Sequence, residues 1–296
     1  MSMTKRRAPR PATAIGGSKR ATLRRRSTGK LPDFLVIGAQ KCGTTWLHQC
    51  LAEHPHISMP AGKDGGFFCY ESTRTPEALD TYAAQYACTP AEGCLRGEST
   101  AAYFWTASGS EWDRKPEGFE RAIPERVRET LGGRCRLLLC LRNPVERAVS
   151  AWFHHLRQGD LDPGTPLLAA GMHMGLIDMG FYGRHLRNWL QRYPRENFFI
   201  LFMEDDIARF PRRTIREVYR FLEIDESFVP SGIDTRIYAG CARRRTSQGI
   251  HAAVNGLAEQ LVIGRDTLER LADIYREDVG ELEDLIGRDI REQWGF

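Results

Sequence analysis

Three short runs of bulky apolar residues stand out from an otherwise mixed pattern along the chain. They cover residues 31–38, 136–141 and 197–202. Continuous apolar runs of this length, without polar alternation, are typical of strands that are buried on both faces of a parallel sheet. The pattern therefore predicts at least three such strands.

Helical spacing of apolar residues follows the first two runs. The first helix is predicted over residues 44–53 and ends at His54-Pro55, and the second is predicted over residues 145–156 behind Pro144. The pattern also predicts helices over residues 78–86, 124–131, 180–193, 210–222 and the last forty residues, a strand and turn over 95–103, and loops over 60–75 and 231–250. Strands that alternate with helices predict an α/β fold with a mostly parallel central sheet flanked by helices.

Charge separates the first thirty residues from the rest. Residues 1–30 contain ten Lys or Arg and no acidic residue, whereas the remaining residues carry 32 basic and 38 acidic side chains. We predict a disordered basic tail over 1–30 and one domain over 31–296. A solvated extension is the simplest interpretation of the tail, although contact with a polyanion or a role as a transit peptide stays open.

The cysteine pattern and the lengths of the apolar segments indicate the cellular compartment in which the protein is expected. The eight Cys are scattered without a pair of CxxC motifs, which argues against a zinc finger. A local bridge between Cys88 and Cys94 is open, but nothing in the sequence requires it. No segment reaches the roughly 20 apolar residues that span a bilayer. We expect a reducing, cytoplasmic environment.

The segment Gly38-Ala-Gln-Lys-Cys-Gly-Thr-Thr45, between a strand and a helix, has the features of an anion-binding loop. A helix N-terminus offers unpaired N–H groups and a positive dipole end, and Gly38 and Gly43 allow a tight turn around a phosphate. Lys41 adds a charge. Because Lys41 precedes the second Gly, the segment is not the P-loop of nucleoside triphosphatases, in which Lys follows Gly.

Residues 34–47, together with His54-Pro55 and Lys63-Asp-Gly-Gly-Phe-Phe68, closely resemble sulfotransferases that use 3′-phosphoadenosine 5′-phosphosulfate (PAPS). The nearest resemblance is to bacterial sulfotransferase domains related to the heparan sulfate sulfotransferases, over residues 31–222 and more loosely beyond. It implies a P-loop-like three-layer fold, PAPS as donor, adenosine 3′,5′-bisphosphate (PAP) as product and no metal requirement. It also implies donor contacts from Lys41, Cys42, Gly43, Thr44, Thr45 and Trp46.

Residues 141–154, one strand later, resemble the element of this family that binds the 3′-phosphate. The resemblance gives this role to Arg142 and Ser150, which are about two helical turns apart. A late loop of the family closes over the donor, and residues 238–245 occupy about that place. Arg243 and Arg244 are therefore further predicted donor contacts.

Sulfuryl transfer needs a cation near the leaving oxygen and a base for the acceptor proton. We expect Lys41 to supply the cation. Heparan-type relatives carry Glu after Lys in Lys-Glu-x-x-Phe-Phe, and Asp64 stands at that position, so we predict Asp64 as the general base. His154 or His155 is the alternative base, since relatives that act on small molecules often use His.

The acceptor side departs from the family pattern. Gly65-Gly66 replaces Pro-His, Ser99 replaces a frequent Lys, and the late disulfide of Golgi members is missing because only Cys241 lies there. These differences put polysaccharide specificity in doubt. A small molecule, a glycan or a lipid remains possible as acceptor, through a hydroxyl or an amine.

Other function classes fit the sequence less well. A P-loop-type kinase or nucleotide phosphotransferase requires Lys after the second Gly and an acidic metal ligand. A nucleic-acid binder would use the tail alone, since the acidic body offers no basic groove, and no specific nucleic acid is expected. A degenerate fold that only binds its ligand is disfavoured by the presence of Lys41, Arg142 and Ser150.

Overall fold

The computed structural model describes residues 31–86, 93–234, 242–253 and 260–296, with the backbone alone at 242–245, 251–253 and 260. The predicted tail and the predicted Arg243 and Arg244 side chains therefore lie outside what is described.

The central sheet has five strands that all pair in parallel. Its order is β2-β3-β1-β4-β5. The strands are β1 Phe34–Gly38, β2 Ile57–Ser58, β3 Leu95–Ser99, β4 Arg136–Leu141 and β5 Phe198–Phe202. The chain runs from β1 outward to β2 and β3 on one side, and then crosses to β4 on the other. In open α/β sheets, ligands bind outside the carboxyl ends of the strands at such a reversal.

Helices surround the sheet. They are α1 Thr44–Ala52, α2 Pro76–Ala84, α3 Ile123–Leu131, α4 Pro144–Gln158, α5 Tyr182–Leu190, α6 Pro211–Leu222, α7 Arg265–Ile286 and α8 Arg291–Trp294. Proline occupies the first turn of α2, α3, α4 and α6, where its missing N–H costs no hydrogen bond. Every residue of β1 is buried, as the apolar run predicted. The predicted α/β class is confirmed.

The predicted loop over 231–250 is wrong in its second half. Strands β6 Ala242–Thr246, β7 Gly249–Ala253 and β8 Gln260–Gly264 form a second, antiparallel sheet. Helix within the last forty residues accordingly begins only at Arg265. Ile250 and Ile263 pair across this sheet and are buried, which anchors the short strands to the core. The sequence of β7 has one bulky apolar residue, too few for a recognisable strand pattern.

Helix α7 packs against α5 through small residues. A β-carbon on Gly180 would lie 2.7 Å from the Tyr275 ring, and one on Gly183 would lie 2.7 Å from the Asp278 carbonyl oxygen. The Asp278 carboxylate accepts the N–H groups of Gly183 and Arg184 at the start of α5. These contacts hold the C-terminal helix directly on the α/β core.

Six cysteines lie within the described residues and all are buried free thiols: Cys42, Cys50, Cys69, Cys94, Cys135 and Cys140. Cys88 and Cys241 fall outside the described residues. Among the helices of the described residues, none combines the length and the apolar character needed to cross a membrane.

Candidate functional site

The loop between β1 and α1 requires glycine at both ends. Gly38 has φ of 151° and Gly43 has φ of 94°, values that other residues rarely adopt. A β-carbon on Gly43 would also lie 2.8 Å from Cδ1 of Ile207. The chain can therefore turn from strand to helix here only because both residues lack a side chain.

The N-terminus of α1 is open for an anion. Gly43 provides no side-chain cap, and no acidic residue lies in the first turn. Backbone N–H groups at such an end have no intrahelical partner and carry the positive end of the helix dipole. Thr44 and Thr45 add two hydroxyl groups, each 3.4 Å from the ammonium of Lys63.

Lys41 lies inside the loop with φ of 67°, a left-handed conformation that costs a non-glycine residue about 1–2 kcal/mol. Its charge acts on α4. Burial and the Lys41 charge together lower the pKa of His154 to about 4. His154 is therefore neutral at physiological pH, and such a low pKa makes it a weak base. The predicted cation therefore acts electrostatically on His154, one of the two alternative bases.

Asp64 is held by the end of β3. Its backbone N–H donates to the carbonyl of Ser99 at 2.7 Å, and its Oδ1 accepts the N–H of Ala101 at 3.0 Å. Its Oδ2 lies 3.0 Å from Nζ of Lys63, and the side chain is 51% exposed. A carboxylate that is fixed by the backbone and open to solvent can accept a proton from an incoming ligand.

Lys63 and His48 were missed as site residues by the sequence reasoning. Lys63 joins the hydroxyls of α1 to the carboxylate of Asp64. His48 lies one turn after Thr44, and burial and the charge of Lys63 lower its pKa. Its Nδ1 is buried and has no hydrogen-bond partner among the described residues. The i, i+4 spacing from Thr44 to His48 was the available signal.

Arg142 follows β4, the strand beside β1. Its guanidinium lies 3.4 Å from the Glu146 carboxylate and 3.8 Å from that of Glu204, so two long contacts orient it. A guanidinium has five N–H donors, which leaves several for another anion. Ser150 lies on α4 and is largely buried. Within the described residues no hydrogen bond joins Arg142 and Ser150, and they remain a predicted pair.

Three other predicted residues point elsewhere with their side chains. Cys42 is buried with its sulfur 3.4 Å from the Tyr182 hydroxyl, and burial raises its pKa to about 11. The Trp46 indole donates to the carbonyl of Ile233 at 3.1 Å. Any ligand contact of Cys42 or Trp46 would therefore come from the backbone. His155 lies 2.9 Å from Asp160.

Comparison with known protein families shows the family to which this chain belongs. Residues 31–238 match the model of the sulfotransferase domain. The chain belongs to this family. The matched residues contain β1 to β5 and both of the loops that carry Lys41 and Asp64. Lys41 also precedes Gly43 in the way that separates sulfotransferases from triphosphate-binding kinases, and the kinase alternative is not favoured.

Several curated sulfotransferases are similar in sequence. Mouse heparan sulfate glucosamine 3-O-sulfotransferase 6 is 28% identical over 65% of this chain and 55% of its own length. Mouse heparan sulfate glucosamine 3-O-sulfotransferase 3A1 is 26% identical over 88% of this chain and 64% of its own. Human bifunctional heparan sulfate N-deacetylase/N-sulfotransferase 2 is 24% identical over 66% of this chain and 22% of its own. The chain thus spans less than two thirds of these relatives.

The fold also has a solved counterpart. The crystal structure of a sulfotransferase from Alicyclobacillus acidocaldarius superposes with a TM-score of 0.64 at 22% identity, and the match covers 90% of this chain and 99% of that one. At this identity the likeness concerns the fold. It supports the P-loop-like α/β architecture that the sequence resemblance implied.

Proposed function

We propose that the protein transfers a sulfuryl group from PAPS to a hydroxyl or amine of an acceptor. The observation that carries this proposal is the position of its charged groups. Lys41 and the open N-terminus of α1 follow the carboxyl end of β1, and Arg142 follows the carboxyl end of the adjacent strand β4. Lys63 contacts both the Asp64 carboxylate and the Thr44 hydroxyl of α1, so it links this carboxylate to the helix. Two cationic elements on neighbouring strand ends suit a donor that carries two phosphate-bearing ends.

In the proposed reaction, an acceptor oxygen or nitrogen attacks the sulfur in line with the phosphosulfate bond. A new bond to sulfur forms, and the bond between sulfur and the bridging oxygen breaks. That oxygen keeps the electron pair and leaves on the phosphate of PAP, where the charge of Lys41 stabilises it. The acceptor proton passes to the Asp64 carboxylate. The first-turn N–H groups of α1 hold the phosphate during transfer.

Arg142 and Ser150 are proposed to bind the 3′-phosphate, and Arg142 would exchange its long carboxylate contacts for shorter, bidentate ones to that phosphate. Arg243 and Arg244 are proposed to close over the donor. For the acceptor, Gly65, Gly66 and Ser99 are the positions where this chain differs from the heparan-type pattern. A small molecule, a glycan or a lipid each fits the proposal.

The buried free thiols support a reducing compartment, because extracellular and Golgi proteins more commonly carry disulfides. We infer a cytoplasmic enzyme on that basis.

The decisive experiment compares two ligands by titration calorimetry. PAP should bind, whereas ATP with Mg²⁺ should bind far more weakly, because the loop lacks the Lys position of a triphosphate site. Incubation with PAPS labelled in the sulfuryl group, against panels of phenols, amines, sugars and lipids, should then give labelled product. Preference for ATP with Mg²⁺ would overturn the proposal, as would failure to bind PAP by a folded protein.

A further inference from the structure

The end of α4 carries a cluster of three potential metal ligands that the proposed reaction does not use. His155 lies in the last turn of α4, Asp160 follows the end of that helix, and His173 begins the short 3-10 helix His173–Gly175. One donor atom from each of the three lies within 4.8 Å of the other two. The three side chains therefore converge from separate parts of the chain.

The geometry of the two imidazoles suits a shared ion. Their ring centres lie 5.1 Å apart with the planes at 89°. Two imidazoles on one tetrahedral zinc, with Zn–N bonds of about 2.0–2.1 Å, hold their ring centres roughly 5 Å apart. To bind one zinc, the donor atoms would have to close from within 4.8 Å of one another to the roughly 3.3 Å that separates two ligands of a tetrahedral ion.

The polar atoms of the cluster are incompletely satisfied without a ligand. Nδ1 of His155 lies 2.9 Å from Oδ2 of Asp160. Nε2 of His173 is buried and has no hydrogen-bond partner among the described residues, and Nε2 of His155, on the ring edge away from Asp160, also has none. The side chain of His155 is only 5% exposed. Buried polar atoms without partners are uncommon and require an explanation.

We propose that His155, His173 and Asp160 bind a divalent transition-metal ion, with Zn²⁺ as the preferred occupant. Two imidazoles and one carboxylate form a donor set that suits zinc, whereas Mg²⁺ and Ca²⁺ prefer oxygen ligands alone. Asp160 is 46% exposed, so the ion has a path from solvent.

The ion would connect two elements rather than take part in the transfer. It would link the end of α4 to the segment that begins at His173, and α4 also carries Ser150 and His154. Metal binding at this site would change the stability of the protein, and it does not depend on the proposed reaction. The protein can bind zinc whether or not it transfers sulfate.

The test uses the full chain without an affinity tag, stripped of metal by a chelator. Zn²⁺ is titrated in competition with a chromophoric chelator, and Co²⁺ serves as a spectroscopic probe of the ligands. Wild type should bind one equivalent of Zn²⁺. His173→Gln and Asp160→Asn should each lower the zinc affinity by at least about 10-fold, the lower limit for lost support around a metal. Zinc should also raise the unfolding temperature of wild type.

Matched controls separate this site from other histidines and other carboxylates. His56→Gln and Asp80→Asn replace exposed residues of the same types elsewhere, and both should keep wild-type affinity and the same Co²⁺ spectrum. His155→Gln should abolish the site, but it changes the core. His173→Gln and Asp160→Asn decide the matter if His155→Gln does not fold. Unchanged zinc affinity in folded His173→Gln and Asp160→Asn would overturn the proposal.

Discussion

Lys41 and Lys63 each lie near a buried or half-buried histidine, and these histidines report on the two sides of the site. Burial lowers the pKa of both His154 and His48, and the next largest cause is Lys41 for His154 and Lys63 for His48. Each lysine can therefore be replaced separately, and the pKa of the histidine near it should report the loss of its charge.

Lys41→Met should raise the pKa of His154 from about 4, because a neighbouring positive charge is lost. Lys63→Met should raise the pKa of His48 for the same reason. Titration of the histidine ring signals by NMR measures both values. Each variant serves as the control of the other, since each should move mainly its own histidine. Equal shifts of both rings in one variant would contradict this arrangement.

Asp64→Asn tests the proposed base without removing its anchor. The amide oxygen can still accept the N–H of Ala101, but it cannot take a proton at neutral pH. We expect kcat to fall by about 10²–10⁴-fold, the usual contribution of a general base, with little change in PAP affinity.

The control is Asp162→Asn, an exposed acidic residue in another loop, which should keep the wild-type rate. A variant at Asp64 with near-normal kcat would exclude this residue as the base and would direct attention to His48.

At the level of elements, the loop before α1 depends on its backbone shape. Gly43→Ala should destabilise the protein by about 1–2 kcal/mol, because a side chain is strained at φ of 94° and meets Ile207. It should weaken PAP binding as well, since the same turn aims the first N–H groups of α1. Denaturant unfolding and calorimetry measure the two effects.

Gly62→Ala provides the matched control, because a β-carbon there meets nothing within 4 Å. It should change neither stability nor affinity appreciably. Equal effects of the two substitutions would show that the strain at Gly43 is unimportant.

The elements that the sequence predicted well are those with strong apolar periods. Residues 136–141 are β4 as predicted, and the helix predicted from 145 is α4 from Pro144 to Gln158. Strand β2 has only two residues and gives no pattern. Tertiary contacts with the core, which no local pattern encodes, fix the second sheet.

Some residues of the candidate site are indicated by sequence motifs, whereas others are brought together only by the folded chain. Lys41 and Asp64 could be predicted because their neighbours in sequence form motifs. Lys63 could be placed in such a motif, but its contact with Thr44 and Thr45 depends on how two loops meet in space. The metal cluster joins residues that are up to 18 positions apart through the folded chain, and their spacing alone suggests nothing.

For the whole molecule, α7 lies beyond the residues that match the sulfotransferase family, yet it completes the core around α5. The contact between α7 and α5 includes the buried carboxyl group of Asp278. Burial raises the pKa of Asp278 from its usual 3.8 to about 7, despite the N–H groups that it accepts from Gly183 and Arg184.

The raised pKa of Asp278 determines how its contribution to stability changes with pH. A carboxyl group that is protonated more readily in the folded state contributes stability below about pH 4, and this contribution is lost as the pH rises through about 7. Asp278→Asn cannot titrate. Its unfolding free energy relative to wild type should therefore rise between pH 4 and pH 7. Parallel stability curves for the two proteins, from urea unfolding at several pH values, would contradict the shift.

The packing of α7 on α5 also affects the order in which the protein can fold during synthesis. The small residues Gly180, just before α5, and Gly183, in its first turn, leave a face against which Tyr275 and Asp278 of α7 pack closely. Once the ribosome has made β5, which ends at Phe202, the β1-to-β5 sheet can be assembled, but this face stays exposed to water and to other nascent chains until α7 has been made. The nascent sulfotransferase domain therefore passes through a stage in which it needs protection from association, and it leaves that stage only after α7 has emerged.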